Sequence, residues 1–217
     1  MIIKNIGHAM FLLELDNGQR IVTDPVDHES GYPVERIAAD TVLVSHKHHD
    51  HCAMENVQGW SRCIDAAGTY LAGCDVSIQA VLCFHDDKHG TLRGNNLMMI
   101  LEAEGLKVVH LGDLGHPLTD EQAKAAMYAD LLMVPVGGFY TIDAAAAKEL
   151  ADRLQARVVL PMHYRTKYNS DWPIATEEDF LAYYAPESIR RQHELRVTAG
   201  DLVCIPPVVL LDAQLKG

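Results

Sequence analysis

A histidine-rich segment, residues 45–51, carries the side chains of this chain that are best suited to binding metal ions. His46, His48, Asp50 and His51 occur there in the spacing HxHxDH. Neutral imidazole and carboxylate are ligands that suit zinc, iron or manganese. One ion cannot readily take four ligands from so short a loop, so the spacing predicts two neighbouring ions that share it. The alternative is a polar surface loop that binds metal loosely, without chemistry.

The elements around this segment indicate where further ligands would come from. Residues 41–44 form a β-branched apolar run that is typical of a buried strand, and α/β folds usually keep their sites at the carboxyl ends of strands. Asp113 follows a second apolar run at 107–111, and His163 closes a third that begins at Arg157. A carboxylate such as Asp113 can bridge two cations through its two oxygens. The alternatives are a turn-capping role for Asp113 and a structural role for His163.

Other histidines compete for the remaining positions. His85 directly follows the apolar run 76–84, whereas His89 lies four residues further into the loop. Position at a strand end favours His85 over His89 as a metal ligand. His116 lies close to Asp113 in sequence and is predicted to contact substrate or to carry a proton.

Composition limits the classes of function. The chain has 217 residues, of which 48% are hydrophobic and 22% charged, as expected for a single globular domain spanning 1–217. Its formal net charge is −12. Proteins that bind nucleic acids draw much of their affinity from Lys and Arg on phosphates, so a polynucleotide partner is disfavoured and a small-molecule substrate is expected.

Cysteine usage and hydropathy bear on location. The five cysteines are odd in number and contain no CxxC pair. No charged-then-apolar signal segment opens the sequence, and no apolar run approaches the length of a membrane span. These features predict a cytoplasmic protein that does not associate with membranes and speak against a secreted β-lactamase. A homo-oligomer is compatible with them.

The order of the predicted elements indicates the architecture. Residues 1–24 read as three strands, with a hairpin turn at 16–18. Short strands of one sheet are then predicted at 60–65, 69–72 and 76–84. From residue 107 strands alternate with helices, and the capping box at Thr119 begins the first helix. Further helices are predicted at 143–154 and from Thr176. Strands first and β/α alternation later predict two face-to-face sheets with helices outside.

An HxHxDH loop after a buried strand resembles the signature of the metallo-β-lactamase superfamily. Residues 7–12 and 23–25 further resemble the opening of its branch of ascorbate-6-phosphate lactonase-like, zinc-dependent hydrolases. The resemblance implies an α/β (α+β) fold, the four-layer αββα sandwich. Asp24 would then orient a ligand imidazole or, alternatively, cap a turn. Residues 134–141, with a Gly-Gly pair, either border the site or form a tight turn.

The resemblance also implies a ligand set and a mechanism. The first metal would be held by His46, His48 and His85, the second by Asp50, His51 and His163, with Asp113 bridging both. The expected cofactors are two divalent ions, zinc first and manganese or iron as alternatives. A hydroxide bridging the two ions would be the nucleophile. Asp50 and His116 are the predicted catalytic residues.

These observations predict a dinuclear metal-dependent hydrolase of a small ester, lactone or phosphodiester. One alternative is a mononuclear iron dioxygenase, because some relatives use the same loop. A metal-dependent nuclease and a non-catalytic metal-binding module are the others. Metal content separates the first two, since the hydrolase needs two ions and the dioxygenase a single iron.

Overall fold

The computed structural model describes residues 1–73 and 75–213, so Cys74 and positions 214–217 lie outside the described part. The strands are β1 (Ile2–Gly7), β2 (Met10–Glu14), β3 (Arg20–Thr23), β4 (Ile37–Ala38), β5 (Thr41–Leu43), β6 (Val57–Gln58), β7 (Arg62–Ile64), β8 (Gly68–Leu71), β9 (Ser77–Phe84), β10 (Asn95–Ala103), β11 (Leu106–His110), β12 (Leu131–Pro135), β13 (Val158–Met162), β14 (Ile189–Gln192), β15 (Glu194–Arg196) and β16 (Val208–Leu211). The helices are α1 (Asp120–Ala126), α2 (Ala144–Arg153) and α3 (Glu178–Leu181). No helix in these ranges is both long and apolar enough to cross a membrane.

Two large sheets make up most of the fold. One has six strands in the order β15-β1-β2-β3-β5-β7, and the other has eight in the order β14-β16-β13-β12-β11-β10-β9-β8. The inner faces of both sheets contribute to one hydrophobic core. Phe11 and Ile21 enter it from the six-stranded sheet, and Met99, Met133 and Leu160 from the eight-stranded sheet. The sheets therefore pack face to face.

The helices cover the outer face of the eight-stranded sheet. Leu132 and Val159 of that sheet belong to the same apolar cluster as Ala123 of α1, Ala147 of α2 and Phe180 of α3. Thr119 and Gln122 form the predicted capping box of α1, and the Asp143 side chain caps α2 through the N–H of Ala146. The αββα fold class is confirmed on this side.

A different kind of layer covers the outer face of the six-stranded sheet. Met10 and Val22 on this face pack with Tyr32, Val34 and Val57, which come from connecting segments. The described part of those segments contains β4, β6 and one 3₁₀ turn, but no α-helix. The fourth layer on this side is therefore mostly irregular backbone.

Strand direction brings six chain segments to one edge of the sandwich. In the six-stranded sheet β2 is antiparallel to β1 and β3, and β3 is parallel to β5, so β1, β3 and β5 end on the same side. In the eight-stranded sheet β9, β11 and β13 likewise share one direction. The Ser45 carbonyl, just after β5, accepts a hydrogen bond from the Leu97 N–H of β10 at 2.9 Å and joins the sheets at this edge.

Two predictions about individual elements are wrong. The strand at 62–64 does not share a sheet with its sequence neighbours, because it pairs with β5, whereas β8 and β9 belong to the eight-stranded sheet. The last helix also begins at Glu178, two residues after the predicted start at Thr176. The helix α3 is a single turn whose N-cap is Glu177, with no side-chain hydrogen bond at the cap.

Candidate metal centre

Residues that follow the ends of four strands, β1, β5, β9 and β13, form two adjacent groups of metal-ligating side chains. One group is His46, His48 and His85, and the other is His8, Asp50, His51 and His163. Within each group the potential ligand atoms lie within 4.8 Å of one another. The structure thus brings together the six residues that were assigned to the two ions, divided as predicted. Whether they bind metal stays a prediction.

Asp113 lies between the two groups. Its Oδ2 is 3.1 Å from Nε2 of His85 and 3.2 Å from Nε2 of His163. Its Oδ1 is 3.2 Å from Nε2 of His51. One carboxylate therefore faces ligands of both groups, as a bridging residue must.

Asp24 is hydrogen-bonded directly to one of these imidazoles and, through Ser45, to a second. Its Oδ2 accepts hydrogen bonds from Nδ1 of His51 at 2.9 Å and from the Ser45 hydroxyl at 2.7 Å. The Ser45 oxygen in turn accepts from Nδ1 of His46 at 2.9 Å. Because Nδ1 carries the proton in both rings, each presents the lone pair of Nε2 to the cluster, as a metal ligand requires. Asp24 therefore orients two imidazoles of the cluster, an arrangement that agrees with the first of its two predicted roles.

The turn that carries Asp113 is held by buried polar groups. The Asn96 side chain accepts a hydrogen bond from the Asp113 N–H at 2.9 Å and donates one to the Leu111 carbonyl at 2.8 Å. Gly112 has φ +54°, and a Cβ there would lie 2.4 Å from Oδ1 of Asn96. A side chain at Gly112 would thus displace the Asp113 backbone, which explains the glycine.

The electrostatics of the cluster favour bound cations. Burial and the nearby His51 lower the pKa of His46 to about 3, so this ring is neutral at pH 7. Burial also opposes ionisation of Asp113, yet His163 and His51 hold its pKa well below the ordinary value. Asp113 is thus ionised although its side chain is only 2% exposed. A buried carboxylate among imidazoles is a strong site for a divalent ion.

Buried atoms without a hydrogen-bond partner provide a direct test of whether these residues fit a metal. Nε2 of His51 and Oδ1 of Asp113 are both buried, and neither makes a hydrogen bond within the described part of the chain. Buried polar groups of this kind are rare because each costs free energy. Coordination by a cation would satisfy both atoms. The residues therefore fit the metal centre that the sequence predicts.

His8 belongs to the cluster although no role was predicted for it. Its Nε2 is 3.4 Å from Oδ2 of Asp50, and its ring centroid is 4.2 Å from that of His163. Both ring nitrogens are buried, and neither has a hydrogen-bond partner among the residues that the structure describes. Burial and the nearby His163 lower the pKa of His8 to about 4, so the ring is neutral and able to bind a cation. Sequence patterns placed His8 inside a strand, whereas it lies between β1 and β2 with φ 55°.

The structure separates the competing histidines. His85 is buried within the cluster, whereas His89 is exposed and its ring packs edge-on against Phe84. His116 is not brought to the cluster residues. Its Nε2 accepts a hydrogen bond from the Phe84 N–H at 3.0 Å, and its Nδ1 donates to the Pro117 carbonyl at 2.8 Å. Both ring nitrogens are thus bound to main chain, which gives the predicted catalytic role of His116 no geometric support.

An open cavity of about 600 Å³ gives access to the cluster. Besides cluster residues, Arg93, Tyr140 and Trp172 line it. Tyr140 lies in the segment 134–141, so that segment borders the site and its last residues also lead into the capped helix α2. Arg93 and Trp172 come from loops, where no pattern in the sequence indicated that they would meet.

Comparison with known proteins gives the family. The model of a β-lactamase superfamily domain matches residues 2–163. A UPF0173 metal-dependent hydrolase from Methanosphaerula palustris is 27% identical, over 88% of this chain and 92% of the relative. A second from Archaeoglobus fulgidus is 27% identical, over 93% and 94%. The crystal structure of a Thermotoga maritima protein, described as a Zn-dependent hydrolase of the metallo-β-lactamase superfamily, is 38% identical with a TM-score of 0.78 over 97% of both chains.

Proposed function

This chain belongs to the metallo-β-lactamase superfamily of metal-dependent hydrolases, and we propose that it uses two divalent metal ions to cleave a small ester, lactone or phosphodiester. One observation carries the proposal. Two groups of ligating side chains share the Asp113 carboxylate at the base of an open cavity. A structural metal site is closed, whereas a catalytic site leaves room for solvent and substrate.

The ligand assignment follows the two groups. We assign the first ion to His46, His48 and His85, the second to Asp50, His51, His163 and His8, and the bridge to Asp113. The addition of His8 extends the set expected from the sequence. Zinc is the proposed metal, because the nitrogen-rich ligands suit it and the similar Thermotoga protein is described as Zn-dependent.

Divalent ions held by these residues would supply Lewis-acid chemistry, which lowers the pKa of solvent water and polarises the oxygen of the bond to be cleaved. The protein's own contribution is to fix the ligands and to orient solvent. Burial opposes ionisation of Asp50, yet His51 and His8 hold its pKa below the ordinary value, so its carboxylate is ionised at neutral pH. Since Asp50 also lines the cavity, it can accept a hydrogen bond from the attacking solvent molecule and orient it.

The cavity supports direct attack by solvent. Among the described residues that line it, none is a serine, threonine or cysteine. A covalent mechanism through an alcohol or a thiol would need such a nucleophile with an adjacent base. We therefore propose hydrolysis without a covalent enzyme intermediate.

A substrate panel tests this function. Protein stripped of metal and reloaded with zinc is assayed on lactones, phosphodiesters, thioesters and β-lactams, together with Asp50→Ala. We expect turnover of a lactone, ester or phosphodiester that disappears on metal removal and returns with zinc. Asp50→Ala should reduce kcat by at least about 100-fold, because it removes both a ligand and the group that orients solvent.

Isotope labelling separates direct attack by solvent from attack by a side-chain carboxylate. In a single turnover in ¹⁸O-labelled water, direct attack places one solvent oxygen in the product at once. Label that appears only after several turnovers would indicate a covalent intermediate on a side-chain carboxylate, whose own oxygen enters the product first, and would contradict the proposal. Protein that retains one iron and shows no hydrolysis would instead support the dioxygenase.

We also propose a small-molecule substrate, a cytoplasmic location and no nucleic-acid or membrane partner. The formal net charge of −12 supports a small-molecule substrate and speaks against a nucleic-acid partner. A homo-oligomer stays a proposal that size-exclusion chromatography with light scattering tests.

A further inference from the structure

Arg93 lines the cavity that gives access to the cluster. Among the described residues that line the cavity, Arg93 is the sole Lys or Arg. It also lines a second cavity, of about 510 Å³, and His48 borders both. Arg93 therefore stands beside the candidate ligands of the first ion, at the junction of the two cavities.

Most of the hydrogen-bond donors of the Arg93 side chain have no partner within residues 1–73 and 75–213. One N–H of Nη2 donates to the Phe139 carbonyl at 3.2 Å, and the guanidinium carbon lies 5.6 Å from the centre of the Tyr140 ring. No carboxylate in the described part of the chain forms an ion pair with it. A guanidinium has five N–H donors in a fixed fork that matches the geometry of a carboxylate or phosphate. Arg93 is thus oriented by its neighbours while its other donors are free for a ligand.

The loop between β9 and β10 holds Arg93 firmly relative to His85. The buried Asp86 carboxylate accepts hydrogen bonds from the N–H groups of Arg93 at 2.7 Å and Leu92 at 3.0 Å, and from two others. The His85 N–H donates to the Gly94 carbonyl at 3.0 Å and closes the loop. The backbones of a candidate metal ligand and of the arginine are therefore held in one hydrogen-bonded loop, which keeps Arg93 beside the cluster.

The other charges in the cavity are compatible with an anionic ligand. Asp50 and Asp113 face the cluster, and the positive charge of two divalent ions would exceed the negative charge of these two carboxylates. Glu29 and Asp171 also line the cavity, but both are exposed, where solvent and salt weaken their repulsion. Arg93 as a residue is half-buried, and interactions of partly buried charges are screened less.

Aromatic side chains form a wall of the same cavity. The rings of Tyr140 and Trp172 lie 6.3 Å apart, and Trp172 also packs edge-on against His8 at 5.2 Å. This wall offers apolar surface beside the arginine and the cluster. The cavity thus combines a reaction centre, an anion-binding group and an apolar face.

We propose that Arg93 is a specificity-determining residue that binds an oxyanion of the substrate. The substrate class is then a small molecule with a carboxylate or phosphate group near the bond that is hydrolysed and with an apolar part against Trp172. This inference rests on the proposed function, because the same cavity must be the reaction site.

Binding measurements test the inference independently of turnover. Zinc-loaded wild type, Arg93→Met and Arg93→Lys are titrated calorimetrically with p-toluenesulfonate, phenylphosphonate, benzoate and benzyl alcohol. The sulfonate is a poor metal ligand, so its binding reports the arginine more than the ions. The matched control is Arg62→Met, which removes an exposed arginine that does not line the cavity. Metal content and circular dichroism verify that each variant is folded and loaded.

We expect wild type to bind at least one oxyanion probe about tenfold or more tightly than the neutral alcohol. Arg93→Met should weaken that binding by about tenfold or more. The affinity of Arg93→Lys should lie between those of wild type and Arg93→Met, because lysine keeps the positive charge but lacks the forked N–H donors of the guanidinium. Phenylphosphonate and benzoate show which oxyanion is preferred. Wild-type affinity in the loaded Arg93→Met protein, an equal loss in Arg62→Met, or no anion binding by wild type would overturn the inference. Arg93-dependent binding without any hydrolysis would refute the proposed function alone.

Discussion

Oδ2 of Asp24 lies 2.9 Å from Nδ1 of His51, while Nε2 of the same ring lies 3.2 Å from Oδ1 of Asp113. One imidazole thus lies between the Asp24 carboxylate and the Asp113 carboxylate, which we propose to bridge the two ions. The arrangement fixes both the orientation and the tautomer of His51. Asp24 and His51 are 27 positions apart in sequence and meet because β3 and β5 are parallel neighbours.

Asp24→Asn should weaken zinc binding by about 10- to 100-fold, because an amide cannot replace the charged acceptor of two hydrogen bonds. Competition with a chromophoric chelator measures the affinity. Asp65→Asn is the control, since Asp65 pairs with Lys47 at the surface. Unchanged zinc affinity in Asp24→Asn would show that the carboxylate does not support the ligands.

His85→Ala should lower the occupancy of the first metal site, whereas His89→Ala should leave it nearly unchanged. The reason is that His85 lies within the cluster and His89 is exposed beside Phe84. Zinc titration of both variants provides the comparison. The opposite order of the two variants would make His89 the ligand.

Much of the candidate site could be predicted because its residues occupy strand ends that the sequence marks. His85, Asp113 and His163 each come at or just after the end of an apolar run, and the run itself predicts a buried strand. Parallel strands then bring their carboxyl ends to the same edge. The short spacing within residues 46–51 fixes the rest of the cluster locally.

The remaining residues depend on contacts that no local pattern encodes. The sequence pattern placed His8 in a strand. In the structure the register shifts between Asn5 and Gly7, and β1 ends at Gly7. His8 therefore lies in the connection between β1 and β2, with its ring in the cluster. Arg93 reaches the cavity because the Asp86 carboxylate shapes its loop. Strand β7 pairs with β5 of the six-stranded sheet. Strand pairing depends on the tertiary fold, and the three residues of β7 contain no sequence pattern that indicates their partner.

Tyr184 predicts a pH dependence of stability in metal-free protein. Burial and the Asp152 carboxylate raise the pKa of Tyr184 to about 12, above the ordinary value of 10.0. The folded state therefore keeps a proton that the unfolded state loses, and the resulting stability, complete below pH 10, is lost as pH rises towards 12. Tyr184→Phe removes the titrating group and should flatten the fall in the free energy of unfolding over this range.

Urea unfolding at pH 9, 10 and 11 measures this difference. Tyr183→Phe is a matched control, because Tyr183 is the exposed neighbour in sequence. If wild type and Tyr184→Phe lose unfolding free energy in parallel between pH 9 and 11, Tyr184 does not contribute to the alkaline loss of stability.

An anomalous difference map from crystals of zinc-saturated protein, recorded at the zinc edge, tests the two-metal centre most directly. We predict two peaks per chain, about 3.5–4 Å apart as in other two-metal sites. One should contact His46, His48 and His85, and the other His8, Asp50, His51 and His163, with Asp113 between them. A single peak in saturated crystals, with Asp50 or His163 uncoordinated, would contradict the dinuclear mechanism.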